Sequence, residues 1–356
     1  MKSYTLLFFF GAALLAGSCR KADVNTGSDF AKIEEQAISD FVHVVAIPGY
    51  DELKTKASIL NTAISTLNII PTDANLDAAK IAWRDLRVTW ERCEGYLFGP
   101  VEDDEYDPET DTWPVSFNDL DSLLASSNPL GVDDIEALNQ RSLKGYHPIE
   151  YVLWGKEGLQ TAAGITDRQK QYVTSLSLHL KSQAEKLYSS WAPGGGNYGQ
   201  HLLNAGKGST LYPMKKDAFL AILEGMLAIC EEVGEGKMKE PFDTQDPNIV
   251  ESPFSGNSVS DFRNNITGAL NVYKGKFNDD GVGLNELVRA KNIALDNEIQ
   301  QKFNTAINSF NSITKPFEQA IISERIQCQT VMDALEALSE TLDTKLRAFI
   351  QQNITD

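Results

Sequence analysis

Apolar residues recur at intervals of three and four from Phe30 to Ile350, and nowhere do they alternate residue by residue over the length of a strand. A chain patterned this way buries helix stripes against one another, so the fold class is all-α. Phe30, Ile33, Ala37, Phe41 and Val44 form the first stripe, which Pro48-Gly49 is expected to stop. Leu53, Ala57, Leu60, Ala63, Ile64 and Leu67 form the second. Asn75 or Asp77 opens a long third helix, Leu76 to about Phe98, ahead of Gly99-Pro100. An acidic, poorly periodic stretch, Glu102 to Thr112, then leads through Trp113-Pro114 to a short helix, Asn118 to Leu124. A helix capped by Asp133 or Asp134 runs to Lys144 and ends at Gly145. Thr166 opens the next, which carries Tyr172, Leu176, Leu180, Ala184 and Leu187.

Glycines at 194–196, 199, 206 and 208 then bracket a segment that no long helix crosses. This marks either a domain boundary or a long functional loop, and the boundary is the reading adopted. Beyond it come Met214 to Val233, a Pro-, Asp- and Ser-rich connection from Pro241 to Ser258, and Val259 to Tyr273. Leu284 to Thr314 follows, too long to run unbent, and then Met332 to Ile350. The expected organisation is a helical domain over 29–195 and a second over 209–356, each with around four substantial helices, the number in a bundle. Duplication of one bundle would account for the equal count, although no identities repeat.

The first residues read as an address. Lys2 precedes an apolar run, Leu6 to Leu15, that is too short to span a bilayer, and Ala16-Gly17-Ser18-Cys19 resembles a bacterial lipobox with its leucine displaced by one position. Residues 1–18 are therefore expected to be a lipoprotein signal peptide and 19–28 a tether, with the chain held to the outer membrane of a bacterial envelope by lipid on Cys19. An ordinary signal peptide cut nearby is the alternative. Cys93, Cys230 and Cys328 remain; they form no CxxC, lie in helical runs, and are expected to be buried thiols. The formal net charge of -18 excludes a nucleic-acid partner, which demands a basic face.

Two stretches could carry chemistry. On the third helix Trp83, Arg87, Trp90, Glu91 and Glu94 follow at spacings of three and four, which puts Arg87, Glu91 and Glu94 on one face. Two carboxylates on an aromatic helix need a cation if buried; a solvated Arg87–Glu91 ion pair is the alternative. The second stretch is Gly145-Tyr146-His147-Pro148-Ile149-Glu150. If His147 is the N-cap and Pro148 the first helical residue, Glu150 falls where a glutamate closes a capping box. The other reading places imidazole and carboxylate on one side of a turn, able to hold one metal ion, like a reversed Glu-x-x-His pair of helical-bundle metal proteins. HExxH, GxSxG, a P-loop and a dinucleotide fingerprint are absent.

With Tyr151-Val152-Leu153-Trp154-Gly155 after it, the Gly-x-His-x-x-Glu segment resembles the signature of the imelysin family, a group that includes insulin-cleaving membrane proteases and iron-regulated envelope proteins. Ala82 to Pro100, Asp111-x-Trp113-Pro114, Leu120-Asp121, Glu251-Ser252-x-x-Ser255, Asp261 to Gly268 and Tyr273-x-Gly275 are similar to further family motifs in the same order. The resemblance implies two bundle-like helical domains with the GxHxxE segment near their interface. It also implies His147, Glu150, Glu91 and Glu94 as presumed ligands of iron or, in a peptidase, zinc, because a related branch binds iron for uptake.

Three readings follow. The first is an envelope protein that binds a metal ion or a small metal complex for iron acquisition, with Arg87 as counter-charge or anion contact. A second is a metallopeptidase using His147 with Glu150 or Glu91 as base. The third is a non-catalytic adaptor that docks an envelope receptor, with Ser255, Asp261 and the glycine-rich segment lining a cleft.

Overall fold

The computed structural model describes residues 26–355, so the signal peptide, Cys19 and most of the tether lie outside the described residues. Among these, every regular element is helical, and strand-like pairing is confined to one antiparallel bridge between Lys276 and Asp280. The chain is all-α.

Thr26–Asp40 continues through a π-helical turn, Phe41–Ala46, into Ile47–Ile69, so Pro48-Gly49 does not end a helix. The wider turn resets the hydrogen-bond register, the Ile47 amide reaching back to the Val42 carbonyl, and Pro48 follows directly at this change of register. Gly49 is needed there for space: a Cβ would lie 2.1 Å from the Tyr96 hydroxyl.

The third helix, Asp73–Cys93, is opened by Thr72, whose hydroxyl accepts from the Asn75 amide at 3.3 Å, and not by Asn75 or Asp77. Leu76, Ala79, Trp83, Leu86 and Trp90 are buried along it, and it packs against both Ile47–Ile69 and the distant helix Ser258–Tyr273. Gly268 brings that second backbone close, since a Cβ there would sit 2.3 Å from the Arg92 carbonyl oxygen. The long helix Asp167–Trp191 flanks the bundle, packed on Ile47–Ile69.

The helix expected to reach Lys144 stops at Glu136. Beyond Leu138 no apolar residue occurs until Leu143, so a continued helix would have nothing to bury; a single 3₁₀ turn, Arg141–Leu143, fills the gap. The Leu284 to Thr314 run is broken as expected, into Leu284–Lys291 and Ile293–Ser309, with the Asn292 side chain accepting from the Leu295 amide at the break. The last long helix starts at Arg325, ahead of Met332. Cys93, Cys230 and Cys328 are buried free thiols. Buried apolar residues from Phe30 to Ile354 join in one connected core.

Candidate functional site

Gly145 shapes the entry to the His147 helix, Tyr146–Trp154. Its φ of +89° is open to glycine, and a Cβ would meet the Thr110 carbonyl oxygen at 1.9 Å. The bare α-carbon therefore lets the chain around Thr110 lie against the helix start, with Asp111 beside the imidazole. Trp83 Nε1 donates to the Tyr146 carbonyl at 3.0 Å, fixing the same turn to the third helix.

This entry overturns the capping-box reading. Gly145 is the N-cap, so His147 is the second helical residue and Glu150 the fifth, two places too deep to reach back. Glu150 instead accepts from the Ser255 amide at 2.7 Å and from its hydroxyl at 2.6 Å, through Oε1. Its Oε2 lies 3.5 Å from His147 Nδ1. His147 Nε2 lies 3.0 Å from Asp111 Oδ1. Neither ring nitrogen has the angular geometry of a hydrogen bond, so these are attractions between neighbouring charges.

The solvated-pair reading of Arg87 and Glu91 is also overturned, as both are 0 % exposed. Arg87 pairs with Glu91 and Asp111, with Glu251 at 3.0 Å, and with Asp261 at 3.7 Å. Trp90 Nε1 donates to Asp111 at 2.6 Å. Ser252 Oγ and Asn257 Nδ2 donate to Asp261 at 2.7 and 2.6 Å. One amide, Asn265 Nδ2, bridges Glu91 and Glu94. Lys237 supplies the other fixed cation, 3.0 Å from Glu251 and 3.3 Å from Glu94.

Glu91, Glu94, Asp111, Glu150, Glu251 and Asp261 are thus six buried carboxylates around two permanent cations and one imidazole. The electrostatics follow from that imbalance. Burial pushes Glu94, Glu251 and Asp261 upward, against the pull of Lys237 or Arg87. Burial would raise Asp111 too, but Arg87 and His147 outweigh it and hold this carboxyl well below its usual range. For His147 burial favours the neutral ring, yet Asp111 and Glu150 prevail and push it up to about 9.

Three sets of donor atoms lie within 4.8 Å of one another: Asp111, His147 and Glu251; Glu91, Glu94 and Asp111; and Glu91, Glu251 and Asp261. Of the four residues expected as ligands, Glu91, Glu94 and His147 fall in these sets and Glu150 falls in none. Glu251 Oε2 and Asn265 Oδ1 are buried without a partner, whereas Glu91 Oε1, which has no hydrogen bond, is taken up by the ion pair with Arg87. Oxygen donors with one imidazole suit a hard or borderline cation, and the surplus of carboxylates fits one even beside Arg87, which never loses its charge. Ser255 and Asp261 do not line a cleft with the glycine-rich segment. The depression there is lined by Gly196, Asn197, Gln200, His201 and their neighbours, and contains neither residue.

Asp111, Glu251, Lys237 and Asn265 were not expected as site residues. Asp111, Glu251 and Asn265 lie inside the motifs noted above, which was their one signal; Lys237 had none.

The comparisons with known proteins agree with this architecture. Iron-regulated protein A of Synechococcus elongatus is 33% identical over 350 residues, covering 96% of this chain and 92% of that protein. A crystal structure assigned as an iron-regulated protein A precursor from Parabacteroides distasonis superposes with a TM-score of 0.80 at 23% identity, over 91% of this chain and 95% of that one. An imelysin-like protein from Psychrobacter arcticum gives 0.73 at 13% identity, over 90% and 96%. The family model for imelysin, designated Peptidase_M75, matches residues 46–345, and the chain belongs to the imelysin family.

Proposed function

We propose that this protein binds a metal ion in the buried carboxylate cluster and serves iron acquisition at the bacterial envelope. The observation that carries the reading is the unpartnered Glu251 Oε2, buried within a site that holds more carboxylates than fixed cations. Glu91, Glu94 and Asp111 would hold the ion, with His147 and Glu251, which form a second donor set with the same Asp111, beside it. Glu150 stands behind the imidazole, tied to Ser255, in the position from which a carboxylate orients a ligand histidine. Support for iron comes from the relatives, which are iron-regulated by name. The oxygen-rich donor set adds to it.

Binding is favoured over peptide cleavage because His147 and Glu150 are 0 % exposed and offer no surface on which a peptide could lie. No helix among the described residues is long and apolar enough to cross a membrane. Attachment through lipid on Cys19 at the outer membrane completes the proposal.

Elemental analysis and titration calorimetry with anaerobic iron(II), iron(III), manganese(II) and zinc(II) test it. One tightly held ion per chain, lost in Glu94→Gln and weakened in His147→Ala, is the expected outcome. No bound ion in the wild type, or binding indifferent to both substitutions, rejects it.

A further inference from the structure

Lys237 is fully buried, yet the segment that carries it borders solvent. The π-helical turn Glu232–Met238 directs Val233, Lys237 and Met238 inward. Its other residues, Glu232, Gly234, Glu235 and Gly236, line a groove of about 860 Å³ shared with the Arg325–Glu340 helix. That groove is acidic: Glu231, Asp333 and Glu336 are among the side chains on its walls. Inside, the Lys237 ammonium touches Glu251 at 3.0 Å, Glu94 at 3.3 Å and Glu232 at 3.5 Å, and it lies 5.2 Å from the Trp113 ring centre. Glu232 is 37 % exposed and so belongs to both sides.

We propose that Lys237 is a resident counter-ion that a metal ion displaces, the ammonium moving out to the groove carboxylates as the metal takes its place on Glu94 and Glu251. The inference rests on the metal-binding reading above and says which cation leaves and on which side. Arg87 is ill suited to leave. It is held by four carboxylates, and its planar fork stays charged in any surroundings. Lys237 hangs on a flexible stem just after two glycines of its own turn, Gly234 and Gly236, and nothing lies within 4 Å of where a Gly236 Cβ would be. π-helical turns inside α-helices are frequent at functional sites. Departure of the ammonium does not strand a charge, since Glu232 and Glu235 wait at the rim. The exchange also selects by charge: a monovalent ion gains nothing over the ammonium it replaces, whereas a divalent or trivalent ion binds the same carboxylates more strongly.

The test labels amines with an acetylating reagent in the full chain, without metal and under anaerobic iron(II). Bound iron is measured on the same samples and Lys237 acetylation by mass spectrometry. Lys237 is expected to be protected without metal and labelled about tenfold faster once iron is bound, as burial gives way to exposure. Iron bound with Lys237 still protected overturns the exchange and leaves the binding reading standing. Should the wild type take up no iron, the exchange and the binding reading fall together. Lys237→Met, checked for fold by circular dichroism, is expected to bind iron more tightly than the wild type because no ammonium has to leave, and weaker binding by that variant counts against the exchange.

Discussion

His147 Nε2 and Asp111 Oδ1 lie 3.0 Å apart with both side chains shut away from solvent, and each holds the other in its charged form. A buried histidine ordinarily sheds its proton. This one keeps it because the carboxylate on the Trp113 segment and Glu150 one turn ahead face it from two sides.

A pH dependence follows for the metal-free protein. His147 moves from 6.5 to about 9 on folding, so its contribution is fully present below pH 6.5 and lost as pH rises through 9. It is on the order of 3 kcal/mol. Glu94, Glu251 and Asp261 act in the same direction, since the folded chain keeps protons on them that the unfolded chain has released. Asp111 acts at the other end: its contribution is present above pH 3.8 and lost as pH falls through its lower folded value. Thermal melts without metal should therefore show Tm falling between pH 6.5 and 9, with a shallower fall in His147→Gln. A flat wild-type profile would contradict the pairing.

Arg87 joins the third helix to Asp111, Glu251 and Asp261, which come from three separate stretches of chain. Removing one partner of a buried ion network leaves the others uncompensated, at about 3–5 kcal/mol. Arg87→Met should lose that much in urea unfolding. Arg87→Lys should recover little of it, because one ammonium cannot serve four carboxylates. A loss below about 1 kcal/mol, the range of a surface pair, would mean the network is not the clasp it looks to be.

Much of the fold could be read from spacing alone, because helical periodicity is a local property. Trp83, Arg87, Glu91 and Glu94 declared a shared face before any tertiary contact was known. The errors lie where a tertiary fact overrides a local rule. Pro48 sits harmlessly after a π-helical turn, and Gly145 takes the N-cap that the rule gives to His147. The site was half legible for the same reason. Glu91, Glu94 and His147 could be named from their spacing and motifs, whereas Asp111 and Glu251 reach Arg87 only through chain packing. Lys237 stands in a Glu-, Gly- and Lys-rich stretch that reads as a solvated helix end.

Glu150 and Glu94 should separate in metal titrations, although the sequence treats them alike. Glu150 is occupied by Ser255 and lies behind His147, whereas Glu94 faces Glu91 and Asp111 within donor distance. Loss of a carboxylate behind a ligand histidine lowers metal affinity roughly 10- to 100-fold. Glu150→Gln should fall in that range, with Ser255→Ala following it in the same direction, while Glu94→Gln abolishes binding. Equal losses in Glu150→Gln and Glu94→Gln would make Glu150 a ligand in its own right.

Gly145→Ala tests whether the site depends on one missing Cβ. The φ of +89° strains any other residue, and the added methyl would overlap the Thr110 carbonyl at 1.9 Å, which is backbone and cannot rotate away. Either the His147 helix or the Thr110-Asp111 segment has to shift, and both belong to the cluster. A loss of about 1–3 kcal/mol in urea unfolding is expected from the backbone strain. More specifically, the His147 titration, followed by NMR of the imidazole, should move down from about 9 toward 6.5 as Asp111 withdraws. Gly155→Ala is the control, since Gly155 also has positive φ, at +72°, but its nearest contact would be an ordinary 3.4 Å to Gln160 Cβ. That variant should lose stability through strain and leave the His147 titration in place. If the two alanine variants shift the imidazole equally, the close approach at Thr110 is not what seats Asp111.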